Sequence, residues 1–215
     1  MTILFTQEWD IVRGKEDAYE AYITNEFTRR LNDLGLKPVG GFYVEVGFGP
    51  RIISVRSMES LTDLLKIFDR DGYKNLILDL QEFITNYRNR VLRPTGRVPL
   101  KEYTIQKGVW KYIHYWNQLP GKRSAYEEFI SREYLPILYS IDYLEVTNSW
   151  DVLLGGFSQI AGELTFKSAV DVGRFLEDPT FRKINETLRR NYVYNYATRI
   201  IRTTGRFDEP KWYRL

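Results

Sequence analysis

The chain has 215 residues, with 31 basic side chains, 28 acidic side chains and no cysteine. This length allows one large domain or two small ones, and the lack of cysteine excludes disulfides, thiolate metal sites and thiol nucleophiles. The net charge of +3 is mild, which argues against a dedicated nucleic-acid-binding protein. No apolar run approaches the ~20 residues of a membrane span, and the first residues lack the pattern of a signal peptide. We therefore expect a cytoplasmic protein without a nucleic-acid or membrane partner.

The first predicted elements are a strand over residues 3–10, a turn at Gly14 and a helix over residues 17–34. The helix is predicted from apolar residues at spacings of three and four, which form one stripe. That stripe is Tyr19, Ile23, Phe27, Leu31 and Leu34. Asp17 and Glu20 fit a capping box at the helix start, so we interpret Glu20 as structural.

The next segments complete a first unit. Residues 36–47 and 51–57 predict two strands around a glycine- and proline-containing turn. A helical stretch follows over residues 59–85 with a break at Gly72, and a last strand comes after it. The predicted order is therefore β-α-β-β-α-β.

The chain then repeats this pattern. NYRNRVLRPTGR begins at Asn86 and NYATRIIRTTGR begins at Asn195, and seven of these twelve positions are identical. Trp9 stands five residues before a Gly-Lys pair, and Trp116 does the same in the second copy. The second copy also repeats the capping box, at Ser124. One difference is Pro136 inside the second long helix, which removes a backbone hydrogen bond and predicts a kink or a shorter helix there.

The repeat sets the predicted domains: unit one over residues 1–98, a linker over 99–107, unit two over 108–207 and a tail over 208–215. In a βαββαβ unit both helices cover one face of the sheet and leave the other face bare. Two units in one chain can cover their bare faces together. We therefore predict an α+β fold in which two ferredoxin-like units pack their antiparallel sheets into one intramolecular barrel.

The segments AYEEFISREYLPIL, from Ala125, and FLEDPTFRKI, from Phe175, together with the element order, resemble the dimeric α+β barrel superfamily. The nearest members are of the NIPSNAP, EthD and antibiotic-biosynthesis-monooxygenase type. The resemblance implies a fold shared by cofactor-free monooxygenases, isomerases, haem enzymes and proteins of unknown role, so no catalytic residue is carried over. The haem branch, similar to chlorite dismutase, needs a histidine late in the second unit. The one histidine here, His114, is on the first strand of that unit, which argues against haem.

His114 is the candidate acid–base residue, because histidine is suited to proton transfer near neutral pH. The first copy has Gln7 at the equivalent position. The residues that we predict to form a ligand pocket with His114 are Tyr112, Trp116, Tyr196 and Arg199. The alternative is a structural histidine, hydrogen-bonded among aromatic rings.

The repeated arginines Arg90 and Arg199 have two interpretations. In the first interpretation, they form structural ion pairs with Glu26 and Glu133, which flank the helix stripes. Alternatively, one of them binds an anionic ligand, since a guanidinium suits a planar carboxylate.

Two functional hypotheses remain. With one histidine and no cysteine we expect no metal, haem or other cofactor. The first hypothesis is a protein that binds a small organic molecule, or a metal- and haem-independent enzyme of the monooxygenase or isomerase type. The second is a non-catalytic structural module that forms a homo-oligomer through its outer strands and aromatic tail. RNA binding is disfavoured, because no strand has the RNP1 pattern of RRM domains, which share this element order.

Overall fold

The computed structural model describes residues 2–99 and 108–204. Within them, eight strands form one closed barrel with helices on its outside. The strands are β1 Ile3–Ile11, β2 Lys37–Gly47, β3 Ile52–Met58, β4 Ile84–Pro94, β5 Trp110–Gln118, β6 Leu144–Leu154, β7 Ile160–Phe166 and β8 Val193–Thr203. The helices are α1 Glu16–Tyr22, α2 Thr28–Asp33, α3 Leu61–Phe68, α4 Asp71–Gln81, α5 Arg123–Phe129, α6 Leu135–Tyr139, α7 Ala169–Glu177 and α8 Pro179–Asn191. Residues 100–107 of the predicted linker and the predicted tail, 208–215, lie outside the described residues.

The two halves of the chain join edge to edge. Around the barrel the strand order is β1-β3-β2-β8-β5-β7-β6-β4, and β4 pairs with β1 to close it. The two seams between the halves are the antiparallel pairs β2–β8 and β4–β6. The predicted α+β fold, with two βαββαβ units in one intramolecular barrel, is confirmed. Closure also gives the edge strands of each half a hydrogen-bonding partner, which a bare sheet would lack.

Alternate residues of each strand face either the helices or the barrel interior. In β1, Phe5 and Trp9 pack under the helices of the first half. Leu4, from the same strand, packs inside the barrel against residues of the second half such as Tyr115 and Trp150. Each half therefore has its own core under its helices, and the two halves share a third core inside the barrel.

The long helix of each half is interrupted by a π-helical turn, at Ile23–Phe27 between α1 and α2 and at Ile130–Tyr134 between α5 and α6. We expected Pro136 to kink or shorten the second helix. The first half has the same interruption without a proline, so Pro136 is not its cause. Pro136 instead follows the π turn, in the first turn of α6, where a missing N–H costs little.

The repeated glutamate does not belong to a capping box. The capping boxes predicted at Asp17 and Ser124 are wrong, because the N-cap residues are Lys15 and Lys122, two positions earlier, and neither side chain caps its helix with a hydrogen bond. Glu127 instead accepts two hydrogen bonds from Arg97 of the first half, Nε to Oε2 at 2.8 Å and Nη2 to Oε1 at 2.6 Å. These bonds lower the pKa of Glu127. The repeated motif therefore contributes an ion pair between the halves.

Other repeated residues also serve the fold. The indole of Trp9 donates to the Tyr19 hydroxyl at 2.9 Å, and Trp116 repeats this bond to Tyr126 at 3.0 Å. Buried indole N–H groups need such a partner. The repeated asparagines, Asn86 and Asn195, have φ angles of 55° and 51°, next to irregularities in the β1–β4 and β5–β8 pairing. Asparagine tolerates this left-handed conformation better than most residues.

Candidate functional site

His114 lies on the outer face of β5, under the helices of the second half. Its Nδ1 is 3.4 Å from the hydroxyls of both Tyr134 and Tyr196. The imidazole also packs against Trp116 and Tyr112, with ring centroids 4.7 and 5.5 Å away. The structure therefore brings together three of the four residues predicted to surround His114, and it adds Tyr134.

The surroundings of His114 leave it little freedom to react. It is only 1% exposed, and burial lowers its pKa to about 3, so the imidazole is neutral near pH 7. The cavity beside it, lined also by Trp116 and Tyr134, has a volume of about 20 Å³. That space holds about one water molecule. An acid–base role for His114 stays a prediction, and these two observations do not favour it.

Arg199 is not part of the His114 surroundings. It lies on the opposite face of the sheet, fully buried in the barrel interior. There Arg199 Nη1 donates to Glu8 Oε2 at 2.9 Å, and Arg90 Nη2 donates to the same oxygen at 3.1 Å. The prediction that Arg199 anchors a ligand beside His114 is therefore wrong, because side chains on opposite faces of the sheet point away from each other.

The predicted ion pairs of these arginines with Glu26 and Glu133 are also wrong. Both carboxylates are exposed on the helices. Glu26 lies 3.9 Å from Arg30 of its own helix. The buried arginines point into the barrel, away from the helices, so Glu8 is the carboxylate within their reach.

The first half contains a cavity of about 110 Å³ between its helices and its sheet. Its aromatic lining residues are Trp9, Tyr19 and Phe27. This volume is of the same order as that of an apolar cavity of ~150 Å³ that binds benzene, so the space suits a molecule of about one ring. The exposed Thr24 is part of the lining, which places this edge of the cavity next to solvent.

The two halves differ in this cavity because the second half fills the equivalent space. The residues there are larger or bring an additional ring. They are His114 in place of Gln7, Tyr134 in place of Phe27 and Leu135 in place of Thr28. His114 also lies so close to Gly162 that a β-carbon there would overlap the imidazole. The first half has Ser54 at that position, facing the cavity.

Arg56 is the charged residue of the cavity, and it was not among the site residues predicted from the sequence. It lies on β3 and is only 2% exposed. Its Nη1 donates to Asn32 Oδ1 at 2.6 Å and to the Leu36 carbonyl at 3.3 Å. Its Nε has no hydrogen-bond partner. A difference between the two copies could have identified Arg56, because the second half has the apolar Leu164 at this position.

Over residues 2–99 and 108–204, no group of three histidine or carboxylate side chains is arranged as a candidate metal site. In the same part of the chain, no helix is long and apolar enough to cross a membrane.

The chain resembles solved structures over nearly its whole length. A putative monooxygenase from Lactobacillus acidophilus NCFM has 9% identity and a TM-score of 0.61, covering 94% of this chain and 93% of that one. An anthrone oxidase-like protein has 12% identity and a TM-score of 0.58, covering 100% and 96%. A mutant chlorite dismutase from Candidatus Nitrospira defluvii has 8% identity and a TM-score of 0.59, covering 94% and 91%. No protein-family model matches the sequence, and curated proteins give no significant match.

These similarities confirm the dimeric α+β barrel fold that the sequence resemblance predicted. At such low identities they establish the fold alone. The fold is compatible with a small-molecule-binding protein or an enzyme and specifies no reaction. The alternative of a self-associating module depends in part on the tail, which lies outside the described residues, so it stays a prediction.

Proposed function

We propose that the protein binds a small organic molecule of about one ring in the cavity of its first half. The observation that carries this proposal is the difference between the halves: about 110 Å³ of space in the first and about 20 Å³ at the equivalent place in the second. Two copies that share their fold-forming residues need not differ here for stability. An unfilled space is itself destabilising, so its retention in one copy supports a use for it.

The lining supports recognition of a ring with polar substituents. Trp9, Tyr19 and Phe27 offer apolar and aromatic surface, which is typical of small-molecule sites. Tyr19 has a hydroxyl that already accepts from Trp9. The other hydroxyl-bearing residues of the lining, which can orient a ligand through hydrogen bonds, are Thr24, Thr28, Ser54 and Thr204.

The lining favours binding over proton-transfer catalysis. Among the described residues that form it there is no histidine and no carboxylate. Arg56 stays protonated at neutral pH, because burial lowers its pKa only to about 10. General acid–base catalysis works best with a group whose pKa is near the working pH. A binding protein in a reducing compartment such as the cytoplasm, consistent with the absence of cysteine, is the function that we propose.

The proposal is tested by filling the cavity with the residue that the second half uses. Thr28→Leu copies Leu135, and binding of one-ring probes such as benzamide is measured by ligand-observed NMR. We expect the variant to lose binding at least tenfold while its melting temperature stays within a few degrees of the wild type. The matched control is Leu135→Thr in the second half, which should leave binding unchanged.

Equal binding by the wild type and Thr28→Leu would contradict the proposed site. Loss of binding in Leu135→Thr alone would place the ligand in the second half and revive the predicted His114 pocket.

A further inference from the structure

The buried cations of the protein differ in their counterions. Arg90 and Arg199 share Glu8 inside the barrel, and Lys111 pairs with Glu163 there. Arg56 is equally buried, yet within residues 2–99 and 108–204 no carboxylate forms an ion pair with it. It is also the buried cation that lines the 110 Å³ cavity.

We propose that the ligand of the first-half cavity is an anion, a one-ring carboxylate, and that its carboxylate binds Arg56. This inference rests on the proposed function and adds the chemical class of the ligand. In this arrangement an aromatic ring packs against the lining formed by Trp9 and Phe27, and its carboxylate is directed to the guanidinium.

The contacts of Arg56 leave room for this role. Its Nη1 is held by Asn32, near the end of α2, and by the Leu36 carbonyl, which fixes the orientation of the guanidinium. The Nε has no hydrogen-bond partner. In the planar guanidinium, the N–H groups of Nε and Nη2 lie along the same edge. That edge can donate two parallel hydrogen bonds to one carboxylate. A guanidinium that is fixed on one side and has an unpaired, buried donor on the other is preorganised for an anion.

The electrostatics favour an anion over a neutral ligand. Burying a cation without a counterion costs free energy, because water no longer solvates the charge. The remaining polar lining groups are hydroxyls, which do not neutralise it. A bound carboxylate supplies the missing counterion and hydrogen-bonds the Nε. A neutral ligand of the same shape does neither.

A purely structural role is the competing explanation, since Arg56 already joins β3 to the end of α2. The second half shows that the fold does not need a cation here, because Leu164 takes the position and is almost fully buried. Replacing a buried charge by a well-packed apolar side chain is often neutral or stabilising. Arg56→Leu, which copies the second half, therefore separates the two roles.

The experiment compares benzoate with benzamide, which are nearly identical in shape and differ in charge. Dissociation constants are measured for the wild type, Arg56→Leu and Arg56→Gln, with the melting temperature of each protein recorded. We expect the wild type to bind benzoate at least tenfold more tightly than benzamide. In both variants this preference should fall to about onefold, while benzamide binding changes by less than threefold. Arg29→Leu, which removes an exposed charge from α2, is the control for net charge and should keep the preference.

Three results would overturn the inference, and they separate it from the proposed function. Equal affinities in the wild type, or a benzoate preference that survives in Arg56→Leu or Arg56→Gln, would show that Arg56 does not select the ligand. The cavity would still be a binding site if Thr28→Leu abolishes benzamide binding. If neither compound binds the wild type at millimolar concentration, both the inference and the proposed function fail. If Arg56→Leu does not fold, the benzoate preference of Arg56→Gln decides.

Discussion

The two halves of this chain have the same strands, the same interrupted helix and the same Trp–Tyr hydrogen bond, yet they differ beneath that helix. The first half has Ser54 and Arg56 in the lining of an open cavity, and Gln7 of β1 is the strand partner of Ser54. In the second half, His114 takes the position of Gln7 and Gly162 takes that of Ser54, and the equivalent cavity is filled. The residues that the copies share maintain the fold, and the residues that differ carry the candidate function. In a duplicated chain, divergence is therefore a better guide to a ligand site than repetition.

The largest effect should come from the carboxylate that connects the halves. Glu8→Gln leaves Arg90 and Arg199 buried without a carboxylate, and we expect a loss of about 3–5 kcal/mol in the free energy of unfolding. Urea denaturation measures it. The control is Glu26→Gln, on the exposed helix surface, which should have no effect. A loss below about 1 kcal/mol for Glu8→Gln would mean that the arginines have another source of compensation.

A smaller effect is expected from giving the second half the serine of the first. In Gly162→Ser the new β-carbon overlaps His114, and overpacking of this kind costs up to about 3 kcal/mol. The double variant His114→Gln/Gly162→Ser reproduces the Gln7–Ser54 pair and should recover most of that loss. Thermal denaturation of the two variants is the measurement. If the double variant is no more stable than Gly162→Ser, His114 is not what makes Gly162 necessary.

The histidine should also make the second half sensitive to acid. Burial lowers the pKa of His114 to about 3, below its value in the unfolded chain, so the unfolded state binds the extra proton first. The free energy of unfolding is therefore highest above the unfolded-state pKa of ~6.5. It decreases as pH falls, by about 2 kcal/mol between pH 7 and pH 5. Unfolding experiments at both pH values should show this slope in the wild type and its reduction in His114→Gln. Equal slopes would show that His114 is not buried in its neutral form.

The smallest effect belongs to the ion pair between the halves at the surface. Glu127 is partly exposed, so solvent screens its bonds to Arg97, and we expect Glu127→Gln to cost no more than about 1 kcal/mol. A double-mutant cycle with Arg97→Gln isolates the interaction. A coupling energy well above that value would give the repeated motif a larger part in holding the halves together than its exposure indicates.

The sequence predicted the elements well because they follow from periodicity. The stripe from Tyr19 to Leu34 corresponds to α1, the π turn and α2, and the repeat correctly divided the barrel into two units. The π turns were not predicted, since one extra residue in a turn hardly changes an apolar stripe. The helix caps were wrong because Asp17 and Ser124 fit the motif in the sequence, whereas the structure places each N-cap two residues earlier.

The candidate site was harder to predict. Face sharing on β5 correctly grouped His114 with Tyr112 and Trp116, because alternation along a strand is a local property. Whether those rings enclose a ligand or fill the space depends on side-chain volumes from several distant segments. The partner of Arg199 is Glu8, which is 191 positions away in the chain, and no local pattern connects the two.

The seams β2–β8 and β4–β6 have an evolutionary consequence. A homodimer of one such unit would carry every substitution twice, so a change that opened one site would open both. Covalent fusion breaks this symmetry and fixes the two versions in a one-to-one ratio. The first half is then free to lose packing around Arg56, while the second half, with its filled core, keeps the barrel stable.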